Sequence, residues 1–519
     1  MRHAFVRVVL TAFALVGYVV SSPVANQENS NSMKNAKRAQ EVKDAFEFAW
    51  SGYMEYAFPQ DELRPVSNTA SNSRNGWGAS AVDALSTAII MDSPEIVKSI
   101  LEHISKLDYS KTDTEVSLFE TTIRYLGGML SGYDLLREND MGQNPDLINS
   151  LLVQSKTLAD IMKYAFDTPT GIPSNNLHIS KKSMDGMTSN SIAQAGTLVL
   201  ESCLLDAGMH LSDLTGDPEY GKLAAKGESY LLAPKPQESE PFPGLIGSNI
   251  NITTGHFVNA DVSWGGGADS FYEYLIKMFI YDESRFEVCR DRWVLAIESS
   301  IKHLKSTISS NKNEYTYLAQ FENDKLDFNS QHLSCFNGGN FLLGGQVLCR
   351  QDFIDFGLEL VKGCYHLYHS TATGIGPEGF SWDPTNVPKD QRKFFEKNGF
   401  YITSSQYNLR PEVIESYYYA YRVTGDRMEW VWEAFDAIHK SCRTGSGFSS
   451  ISNVNDPTGG RKLDFQESFL FAEVLKYAYL TFAPEEDWQI VGEGKNKWVY
   501  TTEAHPLKVL TKGGENCLY

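Results

Sequence analysis

A helical spacing of apolar residues runs through most of the chain and constrains its fold more than any other feature. Between Glu41 and Tyr56, apolar residues recur at intervals of three and four, which places them on one face of a helix. Similar patterns predict helices at 80–91, 94–106, 118–136, 146–165, 190–214, 268–282, 291–308, 352–369, 411–423, 428–440 and 466–482. Strand patterns are short, the clearest being 314–320 and 497–510. The sequence therefore predicts an all-α dominated fold.

These helices recur in a weak repeat. Tyr- and Leu-rich helices run into polar turns, and two of the turns read Thr-Gly-Asp, at 215–217 and 424–426, a typical helix stop. Repeated helix pairs predict a toroid with one helix of each pair inside and one outside. We expect the glycine clusters at 265–267, 338–339 and 344–345 at inner helix ends, where backbone must approach closely. Because no Pro/Ser-rich linker interrupts the chain, we predict one large domain over residues 36–512.

The N-terminus has the pattern of a secretory signal peptide. Basic residues precede an apolar run from Val8 to Val20, and two serines follow it. The run is short for a spanning helix and no basic cluster follows it, although an uncleaved signal anchor is the alternative. We predict a signal peptide at 1–22, a flexible polar lead-in at 23–35 and no stable membrane span. This places the protein in the secretory pathway, secreted or in a vesicle lumen.

The charge and the cysteine content limit which ligands and metals the protein can bind. The chain has 65 acidic and 46 basic side chains, a net charge of −19. This argues against nucleic acid, which needs clustered Lys and Arg, and suits a hard cation such as calcium. The seven cysteines form no C-x-x-C pair, which argues against a thiolate zinc site, and an odd number leaves at least one unpaired. Asn251-Ile252-Thr253 is a glycosylation sequon and predicts a glycan at Asn251 in a surface loop.

The best candidates for chemistry are carboxylates within otherwise apolar or aromatic helices. Glu120 and Arg124 are four residues apart and share a helix face. Alone they would be an ordinary surface ion pair. Because the segment has little other charge, we expect partial burial, and a partly buried carboxyl can keep its proton and act as a general acid.

Other acids allow a similar choice between structure and chemistry. Asp269 follows a glycine cluster at a helix start, where it could simply cap the helix. Glu412 and Glu415 share the first turn of another helix, where they could simply complement the helix dipole. Phe469 and Glu473 are four residues apart and place an aromatic ring beside a carboxylate. This pair could bind a sugar, or it could be a core ring next to a solvated acid.

Other common chemistries lack their motifs. His366 and His369 occur without H-E-x-x-H, and the chain has no G-x-S-x-G, phosphate-binding loop or EF-hand loop.

Taken together, these segments resemble glycoside hydrolase family 47, the class I α-1,2-mannosidases, and especially its secreted fungal members. The resemblance covers roughly residues 40–510 and rests on many motifs in order. They are Arg64-Pro65, Asn75-Gly76-Trp77-Gly78, Ala81–Leu85, the Glu120 segment, Ala268–Leu275, His332–Phe336 with Gly338-Gly339, Arg410-Pro411-Glu412, Glu467-Ser468-Phe469 and Thr502–Pro506.

The resemblance implies an (α/α)7 barrel plugged by a small β-hairpin, formed here by the 497–510 region. It implies calcium-dependent, inverting hydrolysis of terminal α-1,2-linked mannose residues of high-mannose N-glycans on glycoproteins. We expect a monomer.

The resemblance also implies roles for individual residues. Glu120 matches the general acid, which acts in this family through a water; Glu412 matches the base, and Asp269 a third essential acid. Glu378 matches a further acid of the pocket. An inverting pair should stand about 6.5–9.5 Å apart to admit the attacking water. The sugar-binding residues would be Arg124, Glu201, Arg410, Glu415, Phe469, Glu473 and Glu503.

The resemblance further implies that Thr502 binds Ca²⁺ through its hydroxyl and carbonyl oxygens and that Cys335 pairs with Cys364. Gly267 stands where branch-restricted members carry Arg, which suggests broader trimming. Residues 202–209 look like an insertion beside Glu201 and would leave Cys203 as the odd thiol.

Three other hypotheses compete with this enzyme. A mannose-glycan-binding quality-control protein of the same fold would show little turnover, but Glu120, Asp269, Glu412 and Thr502 are all intact. A glucoamylase-like toroid would not need calcium. A helical scaffold would not explain carboxylates grouped with aromatics in apolar helices.

Overall fold

The computed structural model describes residues 23–204, 214, 219–310, 312–492 and 495–510, so the predicted signal peptide lies outside it. Helices dominate, as predicted. The α-helices are Pro23–Tyr56, Ala79–Ile90, Pro94–Ile104, Leu118–Thr121, Gly127–Glu138, Pro145–Met162, Ile192–Leu204, Glu219–Leu232, Asp269–Tyr281, Glu287–Ser299, Phe336–Val347, Gln351–His369, Arg392–Asn398, Glu412–Thr424, Met428–Cys442 and Leu475–Phe482. Short π-helical turns span Thr122–Leu126, Ser300–Leu304 and Leu470–Val474.

Consecutive helices form pairs whose members differ in burial. Every residue of Ala79–Ile90 is buried. The next helix, Pro94–Ile104, buries only Val97, Ile100, Leu101 and Ile104, a single face that packs on its buried partner. Buried helices with covering partners recur along the chain, and the last buried helix has the N-terminal helix as its partner. The contacting pairs are Gly127–Glu138 with Pro145–Met162, Ile192–Leu204 with Glu219–Leu232, Asp269–Tyr281 with Glu287–Ser299, Phe336–Val347 with Gln351–His369, Glu412–Thr424 with Met428–Cys442, and Leu475–Phe482 with Pro23–Tyr56.

The first members of these pairs also contact one another in a closed series. Ala79–Ile90 touches both Gly127–Glu138 and Leu475–Phe482. The series between them runs through the Leu118–Leu126 turns, Ile192–Leu204, Asp269–Tyr281, Phe336–Val347 and Glu412–Thr424. The chain therefore encloses a central space with its most buried helices.

The strands are short and pair antiparallel. Trp498–Tyr500 pairs with Pro506–Lys508 and confirms the predicted terminal hairpin. This hairpin contacts two buried helices, Gly127–Glu138 and Asp269–Tyr281, so it lies against the central group. The other pairings are Glu62–Arg64 with Thr69–Ser71; Val116–Ser117, Asn176–His178 and Ser183–Met184; Ser189–Ser191 with Asn249–Asn251; Lys305–Ser310 with Asn313–Leu318; Gln320–Glu322 with Lys325–Asp327; and Asn329–Gln331, Gly379–Ser381 and Tyr401–Ser404.

The structure corrects three expectations. Residues 23–35, predicted as a flexible lead-in, belong to the helix Pro23–Tyr56, because no Gly or Pro occurs between Pro23 and Gly52 and the later turns of this helix are packed. The predicted helix 291–308 ends at Leu304, because Lys305–Ser310 pairs instead with Asn313–Leu318. The glycines at 338–339 and 344–345 lie inside the helix Phe336–Val347, not at its ends.

Of the two predicted covalent modifications, the disulfide is present in the structure and the glycosylation is not tested by it. The Cys335–Cys364 disulfide is present, with the Cα atoms 6.0 Å apart; Cys289 is buried, and Cys442 is a buried free thiol. The side chain of Cys203 and residues 205–209 lie outside the described residues. Asn251 ends a strand, partly exposed, and its Oδ1 accepts from the backbone N–H groups of Thr253 and Thr254. Its glycosylation stays a prediction.

Among the described residues, no helix combines the length and the apolar character that a membrane span requires.

Candidate active site

One small cavity collects five of the predicted residues. Asp269, Glu412, Glu415, Glu473 and Thr502 line a space of about 50 Å³ among the buried helices. Ser270, Glu273, Leu333, Phe336 and Pro411 complete its wall. A larger cavity of about 890 Å³ lies elsewhere and contains none of the predicted residues. The small cavity has room for an ion and a few waters.

The terminal hairpin presents Thr502 to this cavity. Thr502 Oγ1 donates to Glu273 Oε2 at 2.7 Å and lies 3.4 Å from Ser270 Oγ, while its backbone N–H donates to the Tyr274 hydroxyl at 3.0 Å. Two buried lysines hold the turn: Lys277 donates to the Thr501 carbonyl at 3.3 Å, and Lys476 donates to the Ala504 carbonyl. The hairpin therefore has a fixed position over the cavity.

Irregular backbone occurs at or next to three residues of the site, Asp269, Glu473 and Arg124. Gly267, at φ +94°, precedes the helix that starts at Asp269. Glu473 lies in the π-helical turn Leu470–Val474, and Arg124 lies in the turn Thr122–Leu126. Such turns re-aim side chains and are frequent at functional sites.

Three of the acids are held toward their protonated forms. Burial, together with the charges of Glu273 and Glu412, raises the pKa of Asp269 to about 7. Burial also raises the pKa of Glu415 to about 8 and that of Glu473 well above its ordinary value. Carboxylates that share a buried space repel one another, and a cation among them would favour their ionised forms.

Glu412 behaves differently because it has its own partner. Burial alone would raise its pKa, but the hydrogen bond and charge of His332, with the charge of Arg410, lower it. His332 Nδ1 lies 2.8 Å from Glu412 Oε2, and His332 Nε2 lies 2.8 Å from the Tyr368 hydroxyl. With Nδ1 protonated, His332 donates to Glu412 Oε2, while its Nε2 contacts the Tyr368 hydroxyl. The hydrogen bond from His332 favours the ionised form of Glu412, the form that a general base requires.

Glu120 and Arg124 form the second part of the site. Arg124 is buried, and its Nη2 lies 2.9 Å from Glu120 Oε2, so the two pair as their spacing predicted. Its Nη1 also donates to Glu503, and its guanidinium carbon lies 5.8 Å from the centre of the Phe469 ring. Glu120 is 30% exposed, which confirms the expected partial burial.

Glu378 and Arg410 form a third group. Arg410 Nε donates to Glu378 Oε2 at 2.6 Å, and the Asn408 N–H donates to Glu378 Oε1 at 3.0 Å. With both oxygens accepting, Glu378 is placed to orient Arg410. Burial raises the pKa of Glu467 despite the charges of Arg124 and Arg410, so this acid lies near both groups.

The donor set of the cavity fits calcium. It consists of carboxylate and hydroxyl oxygens and includes no sulfur or imidazole, the preference of a hard cation. Burial is the main cause of the raised pKa values of Asp269, Glu415 and Glu473, and neighbouring carboxylates add to it. A cation bound among these acids would favour their ionised forms.

Some residues of the candidate site were not predicted from the sequence. Glu273 stands four residues after Asp269 on the same helix, a spacing that could have revealed it. His332, Glu467 and Arg74 gave no comparable signal, because their partners come from distant segments. The Glu201 side chain lies outside the described residues, so its predicted role stays a prediction.

A helix-dominated fold around buried, differently ionised carboxylates fits the class of glycoside hydrolases. The chain belongs to glycosyl hydrolase family 47, whose family model matches residues 45–509. It is 59% identical to the mannosyl-oligosaccharide alpha-1,2-mannosidase of Coccidioides posadasii, over 97% of this chain and 98% of the relative. The enzyme of that name from Penicillium citrinum is 58% identical over 96% and 98%. The solved alpha-1,2-mannosidase from Trichoderma reesei is 47% identical, with a TM-score of 0.88 over 92% of this chain and 99% of that chain.

Proposed function

We propose that the protein is a calcium-dependent, inverting α-1,2-mannosidase that trims high-mannose N-glycans in the secretory pathway. The printed names of relatives at 58–59% identity support the activity. The closed series of buried helices, each with a covering partner, supports an (α/α)7 toroid plugged by the terminal hairpin. The observation that carries the proposal is the contact of Glu412 with His332, 2.8 Å long, at a cavity that Asp269, Glu415, Glu473 and Thr502 also line.

In this mechanism Glu412 acts as the base and Glu120 as the acid. Glu412 takes a proton from a water as the water oxygen bonds to the anomeric carbon. The glycosidic C–O bond breaks, and its oxygen receives a proton that originates at Glu120. Attack on the face opposite the leaving group inverts the anomeric configuration.

The remaining residues bind and orient the sugar. Arg410, held by Glu378, and Arg124, held by Glu503, offer guanidinium donors to sugar hydroxyls. Phe469 offers an aromatic face beside Arg124. Asp269, Glu415 and Glu473 offer acceptors within the cavity.

Calcium would be held by Thr502 and by waters bound to the surrounding acids. When bound, it supplies positive charge and oxygen coordination next to the sugar hydroxyls. This role accounts for the oxygen-only donor set around Thr502.

The test is mannose release from a high-mannose N-glycan by the purified chain, with chelator and after calcium is restored. Chelation should abolish activity, calcium should restore it, and NMR should detect β-mannose as the first product. Thr502→Val should weaken calcium binding measured by calorimetry. Thr307→Val, in a hairpin away from the cavity, is the matched control. Activity that survives complete chelation would refute the calcium dependence, and α-mannose as first product would refute inversion.

A further inference from the structure

A loop outside the predicted site brings a second arginine to Glu120. Arg74 Nε lies 3.3 Å from Glu120 Oε2, the same oxygen that Arg124 Nη2 approaches at 2.9 Å. Both Arg74 Nε and Glu120 Oε2 are inaccessible to solvent. Within the described residues, neither carboxyl oxygen of Glu120 makes a hydrogen bond, but Oε2 lies within ion-pair distance of both arginines, and the exposed 30% of the side chain excludes it. The two carboxyl oxygens are therefore unequal.

Buried Asp61 holds this loop in place. Its Oδ2 accepts from the backbone N–H groups of Arg74 at 2.9 Å and Gly76 at 2.7 Å. Its Oδ1 accepts from Gly78 and Ala79 at 2.9 and 3.1 Å. Asp61 is fully buried, so these bonds compensate the loss of its hydration.

The same loop is fastened to the helical turns that carry Glu120. The Tyr125 hydroxyl lies 2.6 Å from the Arg74 carbonyl oxygen and 2.9 Å from Asp61 Oδ1. Asn75, at φ 80°, donates from Nδ2 to Thr121 Oγ1 at 3.0 Å. Asparagine tolerates this left-handed backbone, which most residues avoid. Hydrogen bonds thus connect the Arg74 loop directly to the turns that carry Glu120.

We propose that Arg74 is a positioning residue for the acid: with Arg124 it holds negative charge on Glu120 Oε2 and leaves Oε1 as the oxygen that delivers the proton. A proton binds the oxygen that faces no cation in preference to the one between two guanidinium groups. The inference rests on the proposed role of Glu120. It also gives a reason for the buried Asp61, whose hydrogen bonds fix the loop that carries Arg74.

The test compares two substrates that differ in their need for an acid. An α-1,2-linked mannose disaccharide needs protonation of its leaving group, whereas α-mannosyl fluoride needs little. For Arg74→Met we expect kcat on the disaccharide to fall about tenfold, with less than about a twofold change in KM and in the rate on the fluoride. Arg74→Lys, which keeps the charge, should recover most of the loss. Arg290→Met is the matched control, since Arg290 is similarly exposed and pairs elsewhere with Asp291.

Glu120→Gln distinguishes a failure of the proposed acid role of Glu120 from a failure of the positioning role of Arg74. It should show the same substrate pattern as Arg74→Met, only larger. If Glu120→Gln leaves the disaccharide rate intact, the proposed function of Glu120 fails. If Glu120→Gln shows the pattern but Arg74→Met does not, or if Arg74→Met slows both substrates equally, the positioning role of Arg74 is refuted.

Discussion

Replacing His332 with Phe tests the assignment of Glu412 as the base. His332 is 1% exposed, and its ring packs 5.8 and 5.6 Å from the rings of Tyr368 and Tyr407. Phenylalanine keeps this aromatic packing but removes the donor to Glu412 Oε2. The substitution therefore removes the hydrogen bond to Glu412, and with it the contact to the Tyr368 hydroxyl, while it keeps the ring packing.

The magnitude follows from that one contact. A hydrogen bond to a charged group contributes roughly 1.5–3 kcal/mol. Because each 1.36 kcal/mol of barrier is tenfold in rate, kcat should fall about 10- to 150-fold near neutral pH. The sign of the pH effect follows too. His332 and Arg410 lower the pKa of Glu412 against its burial, so the base stays ionised until the pH falls through that low value. Without His332 burial dominates, the pKa rises, and the acid limb of the rate profile moves to higher pH.

Initial rates of mannose release, measured across the acid and neutral range, report this limb directly. Tyr368→Phe removes only the hydroxyl that contacts His332 and should produce a smaller change in the same direction. His366→Phe is the control, because His366 is also buried but contacts the Asn398 carbonyl instead. A His332→Phe variant that folds and keeps the wild-type acid limb would refute the reasoning.

Two further predictions concern stability. In Gly344→Ala the new Cβ would meet Trp293 Cη2 at 2.1 Å. Such overpacking costs about 1–3 kcal/mol and exceeds the gain of about 1 kcal/mol in helix propensity, so the melting temperature should fall; an unchanged or higher value would contradict the packing. Replacing both Cys335 and Cys364 by Ser releases a loop with a sequence separation of 29, which should cost about 3–4 kcal/mol in the chain-entropy model, read as a lower urea midpoint. An unchanged midpoint would show that the disulfide stabilises nothing.

Helices with one apolar face could be predicted because their signal is local. Pro94–Ile104 buries residues at intervals of three and four, and the pattern alone identifies them. The helix Phe336–Val347 has no such pattern, and its four glycines read as breaks. Glycine is needed at two of these positions because neighbouring side chains pack directly on the helix backbone. A Cβ at Gly338 would lie 2.6 Å from Val361 Cγ2, and a Cβ at Gly344 would lie 2.1 Å from Trp293 Cη2. Nothing local in the sequence identifies those neighbours.

The candidate site divides in the same way. The motifs brought forward Asp269, Glu412, Glu415, Glu473 and Thr502, and these residues do line one cavity. The motifs could not assign their ionisation, because that depends on burial and on partners from other segments. His332 stands 80 residues from Glu412 in the chain.

Glu412 and Glu415 show how much those partners decide. They are three residues apart on one helix, both buried, and from sequence alone either could serve as the base. His332 and Arg410 lower the pKa of Glu412 despite its burial. Burial and the charges of Glu273 and Glu412 raise the pKa of Glu415. The charge of Lys277 lowers it, but the pKa remains at about 8. Of these two acids, only Glu412 has a lowered pKa, which favours Glu412 over Glu415 for the proposed role of the base.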